Sequence, residues 1–148
     1  MGELHVTKFQ NKKQYANYIH HLMNDIEALD LMLKEDLIEK EPIRIGAEQE
    51  FFIVDEAFFP DNNALAVLET INDDHFTTEI GNFNLEINLD PFELKTDCFS
   101  KLEHQLTTLL DKAKQAAKKH DSKIVLTGIL PTLSLKHITL ENMTPIQR

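Results

Sequence analysis

The sequence predicts an α+β domain, an antiparallel sheet with helices packed on one face. Two long segments repeat apolar residues every three or four positions, the signature of amphipathic helices. Two shorter segments alternate apolar and polar residues with a period of two, the signature of strands with one buried face. Only four Gly and five Pro interrupt 148 residues, so the elements are long and the linkers short. With 42% hydrophobic residues the chain can bury a core, which excludes global disorder.

From Asn11 to about Lys40, Tyr15, Tyr18, Ile19, Leu22, Met23, Ile26, Leu29 and Leu33 form one apolar stripe. Asn11 followed by Gln14 resembles a capping box, and Pro42 sets the downstream limit. Asp25, Glu27, Asp30, Glu35, Asp36 and Glu39 read as a solvated helix face. The period then changes. Ile43 to Val54 alternates as a strand, with Gly46 allowing a close approach or a bulge. Asp55 to Asn63 reads as a loop, Ala64 to Asn72 as a short helix, and Phe76 to Ile80 as a strand. In Phe83 to Leu89, Phe83, Leu85, Ile87 and Leu89 take one face and Asn84, Glu86 and Asn88 the other; Asp90-Pro91 closes the strand. Phe99 to Lys119 is a second helix, with Phe99, Leu102, Leu106, Leu109, Leu110, Ala113 and Ala117 on its stripe. Its Lys112, Lys114, Lys118 and Lys119 fall near the C-terminus, where cations suit the helix dipole. Lys123 to Leu130 reads as a buried strand ended by Pro131, and the tail from Thr132 as loop with one short helix.

Composition excludes several functions. Lys and Arg number 15 against 25 Asp and Glu, a net charge of −10, opposite to what a duplex nucleic-acid binder or an electrostatic membrane-surface protein needs. Cys98 stands alone and cannot form an internal disulfide. Neither a signal-peptide core nor a run of 18 apolar residues occurs, so a soluble cytoplasmic protein is expected. There is no P-loop and no Rossmann glycine pattern. The seven His lack zinc spacing, and Ser100, Ser122 and Ser134 lack a nucleophile elbow. Cys98, just before a helix and without a nearby His, reads as a small buried hydrophobe.

The polar strand faces hold the chemistry. Residues two apart on a strand point the same way, about 6.6 Å apart along it, so Glu48 and Glu50 project together. Glu86 projects between Asn84 and Asn88. If both strands share one core, all three carboxylates share the opposite face, and Glu79 lies seven residues before Glu86. Converging carboxylates repel unless a cation compensates, and Mg²⁺ is the natural candidate for oxygen ligands. For Glu-x-Glu by itself a solvated face of an open sheet is the stronger reading; Asn-x-Glu-x-Asn, with only oxygen-bearing side chains, brings the cation level with it. The residues alone leave both readings open. Paired carboxylates would also suit glycoside hydrolysis, but the chain has no Trp to stack on a sugar.

Arg44-Ile45-Gly46-Ala47-Glu48-Gln49-Glu50-Phe51, then Glu79-x6-Glu86, then Gly128-Ile129-Leu130-Pro131-Thr132-Leu133, then Met143-Thr144-Pro145-x-x-Arg148 follow in order. This series resembles the N-terminal part of glutamate–cysteine ligase family 2, carboxylate–amine ligases related in fold to glutamine synthetase. The resemblance covers residues 43–148 and leaves an N-terminal helical segment, residues 1–42, outside it. It implies a partial glutamine synthetase-like fold and ATP-dependent joining of a carboxylate to an amine through an acyl phosphate. It implies Mg²⁺ (or Mn²⁺) held by Glu48, Glu50, Glu79 and Glu86, with ATP and small amino-acid substrates as partners. Arg44 and Arg148 are suited to phosphate or carboxylate oxygens, although Arg44 beside Glu48 reads better as a structural ion pair. Ligases of this kind continue well past the position of Arg148, so little catalysis is expected from this chain alone. The rival expectation is a non-catalytic α+β module that binds a partner or a second copy through an unpaired sheet edge.

Overall fold

The computed structural model describes residues 8–145, which fall into two compact units, residues 8–43 and Arg44–Pro145. The first contains α1 (Lys12–Lys34). Asn11 Oδ1 accepts from the Gln14 N–H at 3.0 Å, and Gln14 Oε1 accepts from the Gln10 N–H at 2.6 Å. The box therefore closes one residue earlier than its usual form. The helix stops at Lys34, short of the expected Lys40, because Asp36 adopts a left-handed φ of 56°. The Leu37 N–H then bonds back to the Met32 carbonyl at 2.9 Å and the Asp36 N–H to Leu33 at 3.4 Å, a Schellman closure. Asp tolerates that conformation without a glycine, so nothing in the sequence punctuates the stop. No residue of α1 is buried.

The second unit runs β1 (Arg44–Ile45), β2 (Glu48–Val54), α2 (Ala64–Ile71), β3 (Phe76–Thr78), β4 (Asn84–Asn88), β5 (Phe92–Glu93), α3 (Cys98–Lys118) and β6 (Lys123–Val125). Strands β3-β4-β2-β6 form one antiparallel sheet, and β1 pairs β5 in a separate ribbon. The architecture is α+β with helices over one sheet face, as the periodicities require. The single strand expected over Ile43–Val54 is two strands that belong to different sheets. Gly46 sits at the break, where an added Cβ would meet nothing closer than the Leu89 carbonyl at 3.9 Å, so close approach is not its reason.

The main core lies on the face carrying Phe51, Ile53, Phe76, Leu85 and Ile87. Val67 and Ile71 of α2 and Leu102, Leu109, Ala113 and Ala117 of α3 cover it. Each fully buried large side chain there contributes about 1.5–3 kcal/mol. Phe99, expected on the α3 stripe, is 65% exposed; in the first turn of α3 its neighbour Cys98 takes the buried position instead. Cys98 is buried, as expected of a small hydrophobe. The opposite face is mixed rather than polar. Phe52, Val54, Phe83 and Leu130 form a second, smaller cluster there, with the Phe52 and Phe83 rings stacked 6.3 Å apart. Phe83, expected on the face of Leu85, Ile87 and Leu89, points the other way because it lies in the turn before β4 rather than in the strand. The strand expected to reach Leu130 stops at Val125. Its pairing with β2 begins at Val54↔Lys123 and ends at Phe52↔Val125, and Leu126 and Ile129 beyond it are exposed. The tail makes two short 3₁₀ turns, Leu135–His137 and Leu140–Asn142. No helix of the described residues is long and apolar enough to cross a membrane.

His75 ties the sheet to α3. Its Nδ1 lies 2.7 Å from Asp73 Oδ1 and its Nε2 3.3 Å from Asp90 Oδ2, while Lys112 donates to Asp73 at 2.7 Å. The Lys112 contact, joined by His75, holds Asp73 well below the usual carboxylate range. Asp73, then Asp90, raises the His75 pKa against the opposing effect of burial. A raised folded-state pKa means the contribution is complete below the unfolded value of about 6.5 and is lost as pH rises through the folded value. Urea unfolding is therefore expected to show stability falling from about pH 6.5 upward by a component that His75→Gln abolishes. Leu85→Ala, in the fully buried core, is expected to cost about 2–5 kcal/mol in the same assay.

Candidate metal site

The register of β2 and β4 builds the site. Glu48 pairs with Asn88, Glu50 with Glu86, and Phe52 with Asn84, while β3 places Thr77 opposite Glu86. Residues directly opposite share a face, so Glu48, Glu50, Glu86 and Asn88 all project from the side away from the main core. Glu50 and Glu86 form a like-charge cross-strand pair, an arrangement that disfavours the sheet by itself.

Glu79 joins them from the segment after β3. Carboxylate oxygens of Glu50, Glu79 and Glu86 lie within 4.8 Å of one another; Glu50 is exposed and the other two are half-buried. The Glu79 backbone is fixed by the C-terminal segment. Thr144 Oγ1 donates to the Glu79 carbonyl at 2.5 Å and the Thr144 N–H to the Ile80 carbonyl at 2.8 Å. Asn88 Nδ2 donates to Glu86 Oε1 at 2.8 Å, which orients that carboxylate, and Gln49 Nε2 donates to the Glu50 carbonyl at 2.6 Å.

An open cleft of about 590 Å³ lies over this surface, lined by Glu48, Gln49, Glu50, Glu86, Leu126, Thr127 and Gly128. Leu126–Gly128 is the stretch where β6 has left β2, so the early end of that strand makes one wall. No lysine or arginine is among these lining residues. All-oxygen donors with negative charge suit a hard divalent cation.

The structure thus brings together three of the four carboxylates singled out in the sequence. Glu48 lines the same cleft without joining the close cluster. Arg44 lies elsewhere, in the ribbon opposite Glu93, where its charge adds to that of Lys95 in keeping Glu93 ionised. Arg148 lies outside the described residues. Sequence reasoning missed the orienting bond from Asn88 and the clamp from Thr144. The Asn-x-Glu-x-Asn spacing held the signal for the first; nothing local signals the second, which joins residues 65 positions apart.

The second unit is thus an α+β fold whose sheet gathers carboxylates above an open cleft. Residues 44–148 match the sequence model of Glutamate-cysteine ligase family 2 (GCS2), and the chain belongs to this family. No curated protein and no solved structure gives a significant match.

Because Glu50 and Glu86 face each other, Glu50→Gln is expected to stabilise the chelator-treated protein by about 0.2–1 kcal/mol. Thermal unfolding in excess chelator checks this; a loss of stability there would show that the pair does not repel.

Proposed function

We propose that this chain supplies the metal-binding part of the active site of an ATP-dependent carboxylate–amine ligase. The supporting observation is the convergence of Glu50, Glu79 and Glu86 oxygens within 4.8 Å, on a sheet face fixed by the Glu50↔Glu86 register. In this reading these three residues hold Mg²⁺ or Mn²⁺, with Glu48 beside them in the cleft. Bound there, the ion would neutralise the phosphates of ATP, the service that phosphoryl transfer most needs. The protein's own groups position it: Asn88 fixes Glu86, and Thr144 fixes the backbone that carries Glu79.

The reaction would pass the γ-phosphoryl of ATP to a substrate carboxylate. A small amino-acid amine would then attack the acyl phosphate, releasing phosphate and forming the amide. The family membership favours this chemistry, and a cytoplasmic setting suits soluble substrates of this kind. Arg44 faces Glu93, so Arg148 is the arginine we assign to oxyanion contact. Among the described residues no lysine or arginine lines the cleft, and metal binding without turnover is the behaviour we expect of this chain by itself.

Calorimetric titration with Mg²⁺ and with Mn²⁺ tests the reading. Wild type is expected to bind saturably, and Glu50→Gln and Glu86→Gln to weaken binding by more than the ~10-fold that loss of an outer partner costs. Glu48→Gln should weaken it less. Equal heats for wild type and all three variants would remove the metal assignment.

A further inference from the structure

Helix α1 precedes the family match, which starts at residue 44, and it buries none of its side chains. Yet its apolar positions follow a strict alternation of four and three residues: Tyr15, Ile19, Leu22, Ile26, Leu29 and Leu33. That is the heptad seam of a coiled coil, with Ile19, Ile26 and Leu33 in one register position and Tyr15, Leu22 and Leu29 in the other. Tyr18, Met23 and Met32 flank the seam, and these nine side chains are 37–62% exposed. A solvated polar helix would not carry such a stripe.

We propose that α1 packs antiparallel against α1 of a second copy of this chain, centred between Leu22 and Ile26. In that register Tyr15 meets Leu33, Ile19 meets Leu29 and Leu22 meets Ile26, so every seam layer is filled. Charge selects the direction. The helix opens on Lys12 and Lys13, whose sign its own dipole disfavours, while Asp25, Glu27, Asp30, Glu35 and Asp36, in and just beyond its second half, outweigh Lys34, which pairs with Asp30. An antiparallel neighbour sets the lysines of one copy beside the acidic end of the other and cancels both dipoles. A parallel neighbour would stack lysine on lysine and bring Asp25 against Asp30. The antiparallel pair retains one like-charge contact, Asp25 near its own symmetry mate.

The area is sufficient. The 23 residues of α1 span about 34 Å, and nine large side chains per copy at about 60–100 Å² each bury roughly 1,100–1,800 Å² in total, the size of a stable specific interface. The surface involves none of the cleft residues, so it stands apart from the ligase reading.

Size-exclusion chromatography with light scattering on the full chain is expected to give twice the 17.1 kDa chain mass. Ile19→Glu combined with Ile26→Glu should return it to the monomer mass, with amide-exchange protection of residues 44–145 unchanged. In a Cys98→Ala background, Tyr15→Cys with Leu33→Cys should oxidise to linkages between position 15 of one copy and 33 of the other. Within one helix these positions lie about 27 Å apart, too far to join. A monomeric wild type, a dimer that survives both glutamates (and so uses another surface such as the β6 edge), or linkage of 15 to 15 would overturn the proposal.

Discussion

The pairing of β2 with β4 is the constraint from which the rest of the second unit follows. Side-chain direction alternates along each strand, so one register decides the content of both faces together. Aligning Phe51 with Leu85 and Gln49 with Ile87 assembles the buried face. The same alignment sets Glu50 against Glu86. A slip of one residue would put the carboxylates under α2 and α3 and the core residues in water, a cost far above that of one repelling pair. The apolar face fixes the register, and the acidic cluster is imposed by it.

That hierarchy explains how a sheet tolerates opposed carboxylates. Burial of Phe51, Ile53, Leu85 and Ile87, all fully excluded from solvent, outweighs a repulsion of at most about 1 kcal/mol. The second cluster, around Phe52 and Phe83, secures the other half of the acidic face. The sheet is therefore held from both sides at one end and open at the other. The cleft lies at the open end, where β6 separates from β2.

Long-range polar contacts complete the frame. Thr144 reaches the Glu79 carbonyl, and Asn62 donates to Asn142 Oδ1 at 2.6 Å, binding the tail to the loops around the sheet. Ser122, almost fully buried, donates to Asp61 at 2.7 Å and joins the loop after β2 to the turn before β6. His75 does the same between the start of β3 and α3. Each limits how far the elements carrying the carboxylates can drift.

Local pattern by itself determined the α+β class, the two long helices, the strand faces apart from Phe83, and the placement of Glu48, Glu50 and Glu86 on one side. These depend on periods of 3.6 and 2, which are written in consecutive residues. Motif order pointed to the family. Only tertiary structure decided the rest. It split the segment around Gly46 between two sheets, ended β6 at Val125, and turned Phe99 outward. It also separated Glu48 from the close cluster, moved Arg44 to the ribbon opposite Glu93, and joined Glu79 to Glu50 and Glu86. The reason is common to all of them: each depends on which partner a backbone or side chain meets across the fold, and residues distant in sequence supply that partner.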